Sequence, residues 1–445
     1  MQRIDSAVKE RMQHDWNERA REDAHFYVAF GRQNQDDEEF FATGAEVVKG
    51  IEWEMRRLGP GRPRARRALE IGCGPGRLMR PLSRHFGEIH GVDVSDEMVA
   101  RARRNLASVP HAHPHHGSGA DLAQFADESF DLVYSYAVFQ HIPSREVVMS
   151  YLDEACRVLK PGGIIRAQIN GLDQTAKQYD TWSGVRISAD EVRQFALDHG
   201  LQLFALEGTR TQYMWTTFRK PNAATDEAVR PARIRRITNA LNSEPVAPQA
   251  GRYASVTAWV EHLPDVCDLL RLQALVDGQS VTPCYIGPAE HDGMRQVNVL
   301  LGNIPRTGLL PFELKMNGHL LCDPATLRVI PPAPSVPLIL SASDGINMMS
   351  GTRIVTGTLK VTIEQTADPF SFAATVGGRP VRNIDVFCAD PLPPRYEINC
   401  DLPEGLEPGT HVMEMRLGRR SLPSVTLDIV AAPSGEAAAS SSPST

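Results

Sequence analysis

No run of about 18 apolar residues occurs in the 445-residue chain, so no segment is expected to cross a membrane as a helix. C-x-x-C pairs are also missing. The seven cysteines, Cys73, Cys156, Cys267, Cys284, Cys322, Cys388 and Cys400, are scattered and odd in number, which suits reduced thiols better than a disulfide framework. Charge of one sign is scarce, with 47 basic against 54 acidic residues and a net charge of −7. Neither half has the basic excess of a nucleic-acid binder, so no nucleic-acid partner is expected. The run Arg62, Arg64, Arg66 and Arg67 lies among Gly59, Pro60, Gly61 and Pro63 and reads as a solvated turn before a strand. Residues Met1 to Glu10 lack the apolar core of a secretory signal, and the expected address is the cytoplasm.

What is present fits a multidomain protein. At roughly 150 residues per domain the length predicts about three, and 42% apolar with 23% charged residues is ordinary globular usage. Up to about residue 220, short apolar runs alternate with helical patterns, as βαβ units do. Strands are predicted over 67–71, 89–94, 130–136, 163–169, 202–208 and 213–218, and helices over 76–86, 96–106, 144–159 and 189–199. Ser95 and Ser188 are the expected N-caps of two of them. Residues 1–60 read as two or three amphipathic helices capping this domain, which spans 61–220. A linker is expected over 221–251, with a short helix near 234–241. Two all-β modules follow over 252–331 and 337–431, because Val276 and Gly278 recur as Val376 and Gly378, Gly318 as Gly418, and Thr326-Leu327 as Thr426-Leu427, each 100 residues on. The Ala/Ser/Pro-rich tail 432–445 is expected to be disordered.

The most informative stretch is Ala68-Leu69-Glu70-Ile71-Gly72-Cys73-Gly74-Pro75-Gly76-Arg77, a strand running into a glycine turn, with Asp93 ending the next strand. Glycines let a ligand lie against backbone at the carboxyl edge of a sheet. A nicotinamide fingerprint would need glycine where Arg77 stands, so that reading fails. Acid-x-Gly-x-Gly-x-Gly followed by the second acid resembles the S-adenosylmethionine site of class I methyltransferases. So do, in order, Asp127 to Ser135, Phe139-Gln140-His141-Ile142-Pro143, and Glu154 to Gly163. The resemblance implies an α/β Rossmann-like domain with a seven-stranded, mostly parallel sheet. It further implies S-adenosylmethionine as cofactor, with Glu70, Gly72 and Gly74 around the methionine moiety, Asp93 on the ribose, and Val94 and Met98 on the adenine. Cys73, Gly76 and Ser135 join the cofactor-binding set. Where many relatives carry an acid for the adenine amino group, this chain has Ser118-Gly119, whose hydroxyl and amide are the available substitutes.

In-line methyl transfer from a sulfonium demands alignment of acceptor, methyl and sulfur above all. His141, past the carboxyl end of the 130–136 strand, is the candidate base, the other reading being a histidine that bonds loop backbone and shapes the pocket. Tyr136, Trp182, Tyr213 and Trp215 are the candidate acceptor-binding aromatics, each of which packing alone would also explain. Trp16 and Tyr27 are candidates for closing over the cofactor, the other reading being packing within the helical cap. In relatives within the resembled family an Asn/Asp-Pro-Pro-aromatic run after this strand marks attack by a planar amino nitrogen; none follows the Asp131 strand here, so the resemblance implies oxygen or simple amine acceptors on a small-molecule or glycan-like substrate ahead of planar nitrogens. His111, His113, His115 and His116 alternate as a metal face would, but Pro114 interrupts them and no acid or cysteine adjoins, so no metal is expected. The modules resemble tandem bacterial immunoglobulin-like sandwiches, suited to a protein or polymer partner or to oligomerisation. The competing reading is a protein that senses S-adenosylmethionine while the β modules carry its role.

Overall fold

The computed structural model describes residues 5–29, 34–174, 179–222, 230–251, 253–332, 337–346, 348–366, 368–390 and 395–430. The expected tail and most of the proline-rich joint before the second module lie outside these residues. The chain begins with α1 (Ser6–Ala29), α2 (Asp37–Ala42) and α3 (Ala45–Glu54), then enters β1 (Arg67–Ile71). Next come α4 (Met79–Leu82), β2 (Glu88–Asp93), α5 (Asp96–Asn105), β3 (Ala112–His116) and β4 (Phe130–Ser135). The domain closes with α6 (Arg145–Val158), β5 (Leu159–Ile169), α7 (Ala189–Asp198), β6 (Gln202–Glu207) and β7 (Met214–Arg219).

The sheet order is β3-β2-β1-β4-β5-β7-β6, with β7 antiparallel to both neighbours and the other pairings parallel. Leu69, Ile71, Leu132 and Val133 are buried because helices cover both faces of the central strands. The order reverses between β1 and β4, and the crevice at their carboxyl ends is where such sheets take ligands. Ser95 and Ser188 cap α5 and α7 through their hydroxyls, Ser188 in a reciprocal box with Glu191. The helix expected over 76–86 is instead a glycine turn, the single turn α4 and a 3₁₀ turn Ser83–His85; Pro81 has no N–H to continue a longer helix. α1 breaks at Asp23, whose carboxylate accepts from Phe26 N (3.0 Å) and Asn34 N (2.8 Å) and so restarts the helix.

The short helix expected near 234–241 is a strand, Arg233–Asn239, paired antiparallel with Ser255–Glu261. Ile234 and Ile237 pack against the core from it, so cross-strand pairing decides a segment whose local pattern was ambiguous. Two compact units result, the first running to residue 334 and the second holding residues 335–389 and 395 onward.

Within the first unit, β6 pairs with the β strand Gln279–Ile286 at Ala205 and Tyr285. Around that seam Arg57 Nε bonds Glu54 Oε2 (2.7 Å), Tyr285 OH bonds Glu54 Oε1 (2.5 Å), and Trp53 Nε1 bonds Tyr285 OH (2.7 Å). Arg57 also donates to Ile286 O and lies over the Phe204 ring. Burial pushes the Glu54 carboxyl up, but Arg57 and Arg166 together outweigh it and hold the group below its ordinary range. Asp268 accepts from Leu203 N (3.2 Å) on the same strand.

The 100-residue repeat is visible as strand order. In the first unit the strands Leu272–Val276, Gly308–Met316, Ala325–Ile330 and Val246–Pro248 lie side by side. In the second, Phe372–Val376, Gly409–Leu417, Val425–Ile429 and Arg353–Ile354 do the same, the last pair parallel in each. The opposing strands repeat as well: Arg233–Asn239, Ser255–Glu261, Met294–Leu300 and Gln279–Ile286 against Leu338–Asp344, Thr358–Glu364, Arg395–Asp401 and Arg382–Asp390.

Candidate functional site

At the end of β1 the chain turns so tightly that Gly72 N and Cys73 N both donate to Val92 O (2.8 and 3.0 Å). Gly72, Gly74 and Gly76 take φ of 72°, 49° and 84°, values that disfavour side chains. A Cβ on Gly72 would also lie 2.3 Å from Val138 Cγ2. The loop is tied to β2 by Asp93, whose Oδ2 accepts from Gly74 N (2.8 Å) and Oδ1 from Ser95 N (2.9 Å). Burial pushes the Asp93 carboxyl up against these two bonds. Glu70 is 3% exposed and accepts from Tyr134 OH (2.9 Å); burial raises its pKa to about 8. Ser135 Oγ donates to Ile71 O (3.0 Å) and holds β4 against β1. The Cys73 thiol is buried in a cluster with Leu78, Met79 and Ala102, and burial pushes it well up.

Beyond Asp93, Val94 lies beside Gly119, where an added Cβ would meet Val94 Cγ2 at 2.9 Å and Met12 Cε at 3.6 Å. Ser118 Oγ accepts from Ala120 N and Asp121 N (3.2 and 3.0 Å) and so shapes that turn. Met98 is buried with Ala20, Ala24, Trp16 and Val28, in the seam between α1 and α5.

α1 lies along the mouth of the crevice. Asn17 accepts from Ser95 Oγ (2.6 Å) and donates to Asp96 (2.7 Å), Arg21 pairs with Glu97 (3.0 Å), and Arg101 bonds Ala20 O (2.6 Å). Sequence reasoning singled out only Trp16 and Tyr27 here. The spacing of Gln13, Asn17 and Arg21, four residues apart on one helix face, was the available signal.

His141 ends a 3₁₀ turn, Phe139–His141, just past β4, and is 5% exposed with the Trp16 ring edge-on at 5.4 Å. Burial, then the nearby Arg19 charge, pushes its pKa down to about 4. Arg19 lies over both Trp16 and Trp182 (4.7 and 5.4 Å) and donates to Thr181 O (3.0 Å). Trp182, 52% exposed, thus joins His141, Trp16 and Tyr27 at one end. Tyr136 belongs to a second group: it stacks on Trp215 (5.6 Å, 8°), with Arg166 over Trp215 (4.4 Å) and Arg77 over Tyr136 (5.5 Å). Tyr213, 51% exposed, immediately precedes β7. Of the histidine run, His115 bonds His90 (3.1 Å), the His113 ring lies 5.0 Å from His90, and Phe125 and Phe130 pack edge-on to His90. Among the described residues no group of three or more His, Cys, Asp or Glu is placed to hold a metal.

The family model described as "Methyltransferase domain" matches residues 69–167. Phosphoethanolamine N-methyltransferase 2 of Caenorhabditis elegans is 32% identical over 136 residues, 30% of each chain. Trans-aconitate 2-methyltransferase of Variovorax paradoxus (strain S110) is 29% identical over 36% of this chain and 64% of its own. Malonyl-[acyl-carrier protein] O-methyltransferase of Enterobacter lignolyticus (strain SCF1) is 30% identical over 46% of this chain and 75% of its own. The chain therefore spans less than two thirds of the first two relatives and three quarters of the third. Among solved structures, geranyl diphosphate C-methyltransferase from Streptomyces coelicolor A3(2), in complex with Mg2+, geranyl diphosphate and S-adenosyl-L-homocysteine, aligns with 48% of this chain and 98% of its own at 16% identity and a TM-score of 0.35. The glycine loop, Asp93 and the match over 69–167 lead to one conclusion: the chain belongs to the S-adenosylmethionine-dependent methyltransferases.

Proposed function

We propose that the crevice between β1, β2 and β4 binds S-adenosylmethionine and passes its methyl group to an oxygen or amine of a small-molecule or glycan-like acceptor. The observation that carries this is the Asp93 carboxylate, fixed by Gly74 N and Ser95 N at the end of β2 beside the sheet's switch point, with lone pairs left for two ribose hydroxyls. The residues present fit the cofactor, since Gly72, Gly74 and Gly76 form a cradle without side chains. When bound, the cofactor supplies an activated methyl on a sulfonium. Glu70 pairs with the methionine ammonium, Gly72 and Gly74 with Cys73 and Gly76 border the chain, and Ser135 keeps β4 in place. Val94, Ser118 and Gly119 border the adenine, while Met98 supports that side from beneath α1. Tyr136, Trp215, Trp182 and Tyr213 receive the acceptor. The two C-terminal β modules, read as immunoglobulin-like sandwiches, serve acceptor recruitment or oligomerisation.

Glu70 offers the test. In the cofactor-free fold it keeps its proton up to about pH 8, against about 4.3 for an ordinary glutamate. Its protonated form therefore stabilises the fold below the ordinary value, and that contribution is lost as pH rises through about 8. The cofactor's ammonium selects the carboxylate, so binding at pH 7 is expected to release a proton and to tighten as pH approaches 8. Calorimetry with S-adenosylhomocysteine in two buffers of different ionisation enthalpy reads the release, and Glu70→Gln should abolish it. Absence of binding by the wild type refutes the function, and binding without proton release refutes the role of Glu70.

An imidazole with a pKa of about 4 is a weak base toward an alcohol or amine, which supports the pocket-shaping role of His141 over general-base catalysis. His141→Gln is expected to keep kcat within about tenfold and to leave the pH–rate profile unchanged. A loss on the order of 10² to 10⁴, the usual size of a general-base effect, would restore the base.

A further inference from the structure

Arg77 is the first residue after the glycine loop, and it is 6% exposed. Its Nη1 donates to Thr43 Oγ1 (2.9 Å), but Nε has no hydrogen-bond partner and the guanidinium forms no ion pair among the described residues. Other enclosed arginines have acids: Arg57 has Glu54 and Arg295 has Asp265. The carboxyl that acts electrostatically on Arg77 is Glu70, and burial keeps that group protonated to about pH 8, so at neutral pH it offers little compensation. Burying a guanidinium without a counter-charge is strongly unfavourable, and Arg remains protonated throughout. Such a group persists where a ligand supplies the missing anion.

The surroundings say which kind. The guanidinium lies between the Phe40 and Tyr136 rings, 5.8 and 5.5 Å from their centroids, and Tyr136 stacks in turn on Trp215. A planar fork held by rings matches the two oxygens of a carboxylate better than a point charge would. We propose that Arg77 is a carboxylate receptor of the methyl-transfer site, holding either the α-carboxylate of the cofactor's methionine end or a carboxylate of the acceptor. This rests on the cofactor reading above and deepens it. A cofactor carboxylate would place Arg77 and Glu70 on opposite charges of one amino-acid group. An acceptor carboxylate would lie under the Tyr136–Trp215 stack.

The full-length protein and its Arg77→Met and Arg77→Lys variants separate these sources. Three calorimetric or thermal-shift probes suffice: S-adenosylhomocysteine, 5′-methylthioadenosine, which lacks the amino-acid end, and citrate added to the S-adenosylhomocysteine complex. If the cofactor supplies the anion, Arg77→Met weakens S-adenosylhomocysteine by about tenfold or more, leaves 5′-methylthioadenosine unchanged, and Arg77→Lys recovers part of the loss. If the acceptor supplies it, S-adenosylhomocysteine binding is unchanged but the rise in Tm with citrate seen for the wild type disappears. Equal weakening of both nucleosides, or no effect on any probe, overturns the proposal and makes Arg77 a strut for α2. Should Arg77→Met fail to fold, the wild type still decides. Equal affinity for S-adenosylhomocysteine and 5′-methylthioadenosine, with no response to citrate, overturns it. A wild type that binds neither nucleoside refutes the cofactor reading itself and this proposal with it.

Discussion

A chain ended at residue 222 is expected to aggregate, whereas one ended at residue 332 is expected to fold and bind cofactor. The shorter chain contains every methyltransferase motif, yet it loses the strand that pairs with β6 and the groups that complete the Glu54–Arg57 cluster. Glu54 would lose its bond from Tyr285, and Arg57 its bond to Ile286 O, and the strand that covers both would be gone. Phe204 and Ala205 would face water together with the open edge of β6, which is itself a template for aggregation. Breaking a buried charged network costs about 3–5 kcal/mol, and exposing an aromatic and several aliphatic side chains costs about 1.5–3 kcal/mol each. Together these reach the 5–15 kcal/mol total stability of an ordinary domain. The longer chain ends where the first compact unit ends and keeps the whole cluster. Size-exclusion chromatography and thermal unfolding distinguish the two. A monomeric 1–222 fragment that melts within about 5 °C of the full chain would show the seam to be dispensable.

Asp93→Ala is expected to weaken S-adenosylmethionine and S-adenosylhomocysteine by about 100-fold or more while Tm changes little. The carboxylate has two tasks. It anchors the loop through Gly74 N and the start of α5 through Ser95 N, and in the proposed function it also presents lone pairs to the ribose. Each charged hydrogen bond to the ribose contributes about 1.5–3 kcal/mol, so losing two reaches the stated factor. The fold itself is spared, because Asp93 is only partly buried, so water can enter the space left by the carboxylate and bond the buried Gly74 and Ser95 N–H groups. Asp93→Asn should be intermediate, since the amide oxygen still accepts one loop N–H. Calorimetry reads the affinities and a melting curve the fold. An Asp93→Ala variant that binds within threefold of the wild type removes Asp93 from the site.

Much of the crevice was legible because its constraints are local. Leu69 and Ile71 make β1 a buried strand, glycine alone tolerates the turn after it, and an acid closing β2 is separated from the loop by a single helical connection. The less legible parts depend on residues far apart. Trp53 and Tyr285 are 232 positions apart, so their bond has no trace in any short window. The placement of Met98 under α1 depends on a helix from another part of the chain, and that of Arg77 against Tyr136 on two strand-end loops far apart in the sequence. The stretch at 234–241 shows the converse, since its spacing of isoleucines and arginines allowed a helix until pairing with Ser255–Glu261 made it a strand.

Two units with the same strand order, joined in tandem, risk exchanging strands as they fold. The copies differ where such an exchange would matter. One hundred residues beyond Tyr285 stands Asp385, in the corresponding strand Arg382–Asp390. A strand taken from the wrong copy would bring a carboxylate against Glu54 in place of a hydroxyl donor, two like charges in a site closed to water. The tyrosine that completes the seam is therefore expected to favour the first copy over the second in this pairing.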